Sequence, residues 1–180
     1  MLRQTAFGIA LSTLVIASGY MTAAKQTGQY QRSSLVTSQG TISNLGFETT
    51  NLEKSVFTQI NQYRAKRGLK QLNLSEKISQ QARIHSQNMA AGKVPFSHQG
   101  FEQRVMAIPL KYSSAAENVA YNTGYSNPAN EAVVGWLKSP GHLRNLQGKY
   151  NLTGVGVAAN EKGDVYLTQI FLNVSKQGQN

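Results

Sequence analysis

The 180-residue chain has no cysteine, so no disulfide or cysteine-linked lipid anchor can hold it, and the fold must rest on core packing and hydrogen bonds. It is short of acid: 8 Asp and Glu stand against 18 Lys and Arg, a formal charge of +10. Such a balance suits anionic envelope polymers, acidic polysaccharide or lipid headgroups; it equally serves general solubility, the reading favoured by charges that are not gathered into one run. The basic residues are not gathered into a block interleaved with aromatics, and that argues against nucleic acid. There are only 3 histidines, 1 tryptophan and 4 prolines, so each of these residues carries positional information. There is no HExxH, no GxSxG, no internal repeat and no heptad pattern, which removes the commonest signatures of zinc proteases, α/β hydrolases, solenoids and coiled coils.

What is present begins with an export-like start. Arg3 precedes an uncharged apolar run from Ala6 to Ala17, and Thr22-Ala23-Ala24 offers small residues before Lys25. Residues 1–24 read as a signal peptide; the competing reading is an uncleaved anchor, since no charge occurs from Gln4 to Ala24. Residues 25–49, rich in Gln, Ser, Thr and Gly, read as a flexible tether, and residues 176–180 as a tail. Between them, residues 50–175 read as one α+β domain.

Within that domain Thr50-Asn51 is expected to cap a helix with Leu52, Val56, Phe57, Ile60 and Tyr63 on its inner side, ended by Gly68. Ser75 is expected to cap a second helix carrying Ile78, Ala82, His85 and Met89, closed by Gly92. A short helix spans Phe101 to Ala107, and Asn127-Pro128 opens another that carries Val133, Trp136 and Leu137. The period then changes. Residues 152–158 and 165–172 read as two strands of an antiparallel hairpin, in which Gly154 and Gly156 make sense only if something approaches the backbone closely.

Three polar residues stand out. His98 follows the second helix in Phe96-Ser97-His98; Glu117 sits among small and apolar residues in Ala115-Ala116-Glu117-Asn118-Val119; His142 follows Ser139-Pro140-Gly141, a helix stop that frees the backbone to aim the imidazole. Two imidazoles and a carboxylate can bind a divalent metal or act as an acid/base pair, although their irregular spacing is no metal motif. Glu117 can equally serve only to hydrogen-bond backbone at a strand start. His85 reads as a packed histidine, Trp136 as core in preference to a carbohydrate platform, and Lys138, Arg144 and Lys149 as a solvated rim.

The run from Phe57 to Phe171 resembles the CAP superfamily (SCP domain) of cysteine-rich secretory and pathogenesis-related proteins, in its short, cysteine-free bacterial form. The resemblance is carried, in order, by Gln59-Ile60-Asn61-Gln62-Tyr63-Arg64 with Gly68-Leu69, Phe96-Ser97-His98, Ala116-Glu117-Asn118-Val119-Ala120 and Trp136-Leu137-Lys138-Ser139-Pro140-Gly141-His142 with Asn145. Thr153-Gly154-Val155-Gly156-Val157 and Leu167-Thr168-Gln169-Ile170-Phe171 complete it. It implies an α-β-α sandwich, with a small antiparallel sheet between helices, and a cleft in which His98, Glu117 and His142 meet and can hold zinc or another divalent metal. It also implies a departure: the second glutamate of the pattern falls at Ser139, a loss of charge that weakens metal affinity. Asn145 is expected to brace the turn or line the rim. The function implied is a secreted or envelope-associated monomer that binds a small, lipid-like or polymeric extracellular ligand. The alternatives are a metal-assisted hydrolase of peptide or cell-wall material, with Glu117 as base, and a structural envelope protein.

Overall fold

The computed structural model describes residues 37–175, with side chains from Thr49 onward. The export-like start, the first part of the tether and the tail lie outside the described residues. The elements are α1 (Thr37–Lys66), β1 (Asn73–Leu74), α2 (Glu76–Ala90), α3 (Phe101–Met106), β2 (Tyr112–Asn122), α4 (Pro128–Lys138), α5 (Pro140–Gln147), β3 (Leu152–Ala159) and β4 (Val165–Val174). One four-stranded sheet in the order β1-β3-β4-β2 lies between two layers of helix. The sheet is mixed, not wholly antiparallel: β2 and β3 both run antiparallel to β4, while the short β1 runs parallel to β3, pairing Asn73 with Leu152 and Leu74 with Thr153.

Strand alternation sorts the core into two halves, because successive side chains on a strand point to opposite faces. Val155, Val157, Leu167 and Phe171 meet Val56 and Ile60 of α1, Val133 and Trp136 of α4 and Leu146 of α5. On the other face Ile170, Leu172 and Val174 meet Ile78 and Ala82 of α2 and Val105 of α3. Gly154 and Gly156 are on this second face, directly beneath α2. A Cβ on Gly154 would come within 2.2 Å of the Ser79 nitrogen, and one on Gly156 within 2.1 Å of the Arg83 nitrogen. The close approach that the two glycines require is therefore the backbone of a helix laid on the strand.

The helix expected to start at Thr50-Asn51 starts at Thr37 instead. Helix extension costs little once nucleated, and no proline interrupts 37–66; Thr50 and Asn51 are exposed positions within it, where a capping residue type does no harm. The later part of the expected tether is therefore helix. Gly92, at φ 67°, follows the end of α2 as expected. Asn127 caps α4 by accepting the Asn130 N–H at 3.1 Å.

Ser139-Pro140-Gly141 does more than stop a helix. Ser139 leaves the helical region (φ −95°, ψ 116°) and ends α4, and Pro140 then opens α5, so that His142 stands on the first turn of a helix and not in a free turn. Proline suits that first position, because its φ is already helical and its missing N–H would have had no intrahelical partner.

Candidate functional site

The site is built around β2, at the sheet edge. Small side chains at Ala116 and Ala120 let this strand pack under α4, while Glu117 points to the opposite face, toward the α2 and α3 layer. Its side chain is 1% exposed, and a carboxylate buried to that degree needs charged or hydrogen-bonding partners. Arg104 of α3 supplies them in a paired arrangement: Nε donates to Oε2 at 3.0 Å and Nη2 to Oε1 at 2.8 Å. The third arm, Nη1, donates to the Gln99 carbonyl at 2.8 Å and ties the loop before α3 to the same guanidinium.

His98 lies in that loop, and its Nδ1 is 2.9 Å from Glu117 Oε1. Because the carboxylate accepts, Nδ1 carries the hydrogen and the ring is oriented through it. His142 approaches from the other helical layer: its ring centroid lies 6.3 Å from that of His98, with the planes inclined by 50°. The three residues singled out from the sequence thus meet across the edge of the sheet, with His98 in direct contact with Glu117 and His142 beside His98.

The α5 side is fixed by amides. Asn145 Nδ2 donates to the Glu117 carbonyl at 3.1 Å and to Asn118 Oδ1 at 2.9 Å, while Asn118 Nδ2 donates to the His142 carbonyl at 3.3 Å. Asn145 is therefore the brace that seats α5 on β2. Trp136 is core: it is 1% exposed, and its indole N–H donates to the Val119 carbonyl at 2.9 Å. Ser139 is half-buried between α4 and α5, and its side chain caps neither helix. Lys138, Arg144 and Lys149 are exposed, as a rim should be.

Arg104 is the residue that the sequence reading missed. A signal was present: Phe101, Arg104, Val105 and Ile108 recur at helical spacing, so the arginine shares the inward side of its helix with core residues and demands an anion.

The donor set decides how a divalent metal would fit. Both Glu117 oxygens are engaged by Arg104, and among the described residues no three His, Asp or Glu side chains form a group that can hold a metal ion. Two imidazoles remain; at a centroid separation of 6.3 Å an ion with bonds of about 2.0–2.1 Å to both would have them almost opposite each other, so a tetrahedral ion requires the rings to draw closer. The two imidazoles are thus the residues that would hold an ion, with Glu117 orienting one of them and not coordinating.

Burial lowers the pKa of His142, and the neighbouring His98 lowers it further. Burial also lowers the pKa of His85, with a further contribution from Arg104; this ring is 2% exposed and its Nε2 donates to the Ser97 carbonyl at 2.9 Å. A histidine whose pKa falls on folding binds fewer protons folded than unfolded, so its contribution to stability is full above about pH 6.5 and is lost as the pH drops. The urea midpoint is expected to be lower at pH 5 than at pH 7.5, with a smaller difference in His85→Gln. An equal or higher midpoint at pH 5 would contradict this.

Residues 57–171 match the family model described as the cysteine-rich secretory protein family, CAP. The chain belongs to the CAP family. It is 36% identical over 126 residues to the uncharacterized protein YkwD of Bacillus subtilis, covering 67% of this chain and 46% of that one. It is 33% identical over 128 residues to the uncharacterized membrane protein YlbC of the same organism, covering 68% of this chain and 35% of that one. The CAP domain here thus spans less than half the length of these curated relatives. Among solved structures, an extracellular SCP-domain protein of Bacillus anthracis superposes with TM-score 0.62 at 24% identity, over 78% of this chain and 45% of its own. An outer surface protein of Borrelia burgdorferi superposes with TM-score 0.62 at 18% identity, over 71% of this chain and 96% of its own. These likenesses establish the α-β-α CAP fold. Among the described residues no helix is long and apolar enough to cross a membrane.

Proposed function

We propose that this CAP domain is a secreted or envelope-associated binding module whose cleft at His98, Glu117, His142 and Asn145 takes an extracellular ligand, with a divalent ion such as zinc held by the two histidines. The observation that carries the reading is the Arg104–Glu117–His98 chain of hydrogen bonds. A carboxylate that holds a histidine through one nitrogen fixes the direction and tautomer of the other, the arrangement that tunes metal-bound imidazoles. The same observation weighs against Glu117 as a general base in hydrolysis, because both of its oxygens already accept from a guanidinium. When bound, the ion would act as a Lewis acid toward a ligand oxygen. Arg104 and Glu117 fix the His98 ring, and Asn145 and Asn118 fix the turn that bears His142.

Thermal unfolding with and without zinc tests the reading. Wild type is expected to gain stability, and His98→Ala and His142→Ala to lose most of that gain, because an ion that binds only the folded state stabilises it by mass action. Equal gains in wild type and His142→Ala would refute it. Ser139→Glu is expected to tighten zinc binding by restoring a carboxylate three residues before His142; unchanged affinity would place that side chain away from the histidines.

A further inference from the structure

A row of aromatic rings leads away from the cleft. Phe96, two residues before His98, packs on Tyr121 with ring centroids 6.1 Å apart, and Tyr121 packs on Tyr166 at 5.1 Å. Phe96 and Tyr121 keep 39% and 42% of their surface exposed. Tyr121 stands on β2 on the same face as Glu117, four residues on, so strand alternation itself lines the row up with the site. At its far end Tyr166 enters an open groove of about 670 Å³ between the end of α2 and the β3–β4 turn, lined also by Gln87, Asn160, Lys162 and Asp164. The polar groups are ordered among themselves: the Tyr121 hydroxyl donates to Asp164 Oδ1 at 3.1 Å, and Asn160 Nδ2 donates to Asp164 Oδ2 at 2.9 Å.

We infer that this row, from Phe96 through Tyr121 to Tyr166 and the Asn160–Asp164 groove, binds a linear glycan of uncharged sugar units as an extension of the histidine cleft. A sugar ring offers an apolar face to stack on an aromatic ring and a rim of hydroxyls that need donors and acceptors. The row supplies ring faces, and the groove supplies carboxylate, amide and hydroxyl groups beside them. The acids Glu161 and Asp164 outnumber Lys162 in the groove, and this slight negative balance disfavours an anionic chain despite the basic surface elsewhere. An extended peptide is disfavoured by a separate fact. Adding a strand needs open backbone groups on the sheet edge, yet beside the site the Glu117 and Val119 carbonyls already accept from Asn145 and Trp136. A lipid tail would want an enclosed apolar slot, whereas Phe96 and Tyr121 are exposed and the half-buried Tyr166 lies beside charged and amide side chains.

The inference extends the binding-module reading, and the two fail separately. Calorimetric titration of the protein with hexamers of β-1,4-linked N-acetylglucosamine and of β-1,4-linked glucose is expected to show binding of at least one. Tyr121→Leu and Tyr166→Leu, which keep apolar bulk and remove the ring, should weaken it between a few-fold and about tenfold. Tyr112→Leu, at the other end of β2, should leave it unchanged. Tyr166→Leu, at the far end of the row from the histidines, should weaken the glycan and keep the zinc response, whereas His98→Ala/His142→Ala should lose the zinc response. The inference is overturned if neither hexamer binds at low millimolar concentration, if Tyr121→Leu binds as wild type does, or if an extended hexapeptide occupies the row and the hexamers do not.

Discussion

Gly156→Ala is expected to destabilise the domain by about 3 kcal/mol or more, because the added methyl would stand 2.1 Å from the Arg83 nitrogen and 2.2 Å from the Ala82 carbonyl carbon. No side chain can move aside there; the atoms in the way are main chain of α2, and the helix must lift from the sheet as a body. That shift would disturb the bonds that seat α2 on β3. Ser86 Oγ donates to the Gly156 carbonyl at 2.9 Å, and the Val155 N–H donates to Ser79 Oγ at 3.2 Å. Gly154→Ala is expected to act in the same way and to a similar extent. For a domain of this size such a loss lowers the melting temperature by about 10 °C. Gly135→Ala serves as the control, since a Cβ there meets nothing within 4 Å. A change in melting temperature no larger in Gly156→Ala than in Gly135→Ala would mean that α2 lies farther from the strand.

Arg104→Ala is expected to cost about 3–5 kcal/mol, the usual penalty for leaving one partner of a buried ion pair uncompensated. Its side chain is 11% exposed and that of Glu117 only 1%, so water cannot replace the lost guanidinium without opening the site. Arg104→Lys should recover only part of this, because an ammonium cannot reproduce the two parallel bonds from Nε and Nη2. The paired replacement of Arg104 by Met and Glu117 by Leu is expected to restore much of the stability while abolishing the zinc response. That separation of fold from site distinguishes an orienting role from a merely structural one. A zinc response preserved in the double variant would show that the carboxylate does not position His98.

Much of this was legible in the sequence, for identifiable reasons. The inward positions of α1, α4 and the β3–β4 hairpin have strong periods, so Val56, Ile60, Val133, Trp136, Leu167 and Phe171 could be placed in a core, and His98, Glu117 and His142 could be placed together through the ordered motifs around them. Other parts carried weak local signals. β2 reads Tyr-Ser-Ser-Ala-Ala-Glu-Asn-Val-Ala-Tyr-Asn, with little apolar alternation, because one of its faces serves α4 through small residues and the other serves the site. α5 is eight residues long and begins at a proline that also reads as a stop. The pairing of β1 with β3 rests on two residues, too few for any periodicity. The inward position of Arg104 was legible, but its partner lies on a different element, and only the fold brings the two together.

The most direct measurement is nitrogen-15 NMR of the imidazoles, which a chain with 3 histidines makes tractable. At a pH where the rings are neutral, His98 should carry its hydrogen on Nδ1, donated to Glu117, and His85 should carry its hydrogen on Nε2, donated to Ser97. On addition of zinc, His98 Nε2 and one nitrogen of His142 should shift together while His85 stays unchanged. A His98 ring protonated on Nε2, or a zinc-induced shift that spares either His98 or His142, would contradict a cleft in which Arg104 and Glu117 hold one histidine so that it can bind alongside the other.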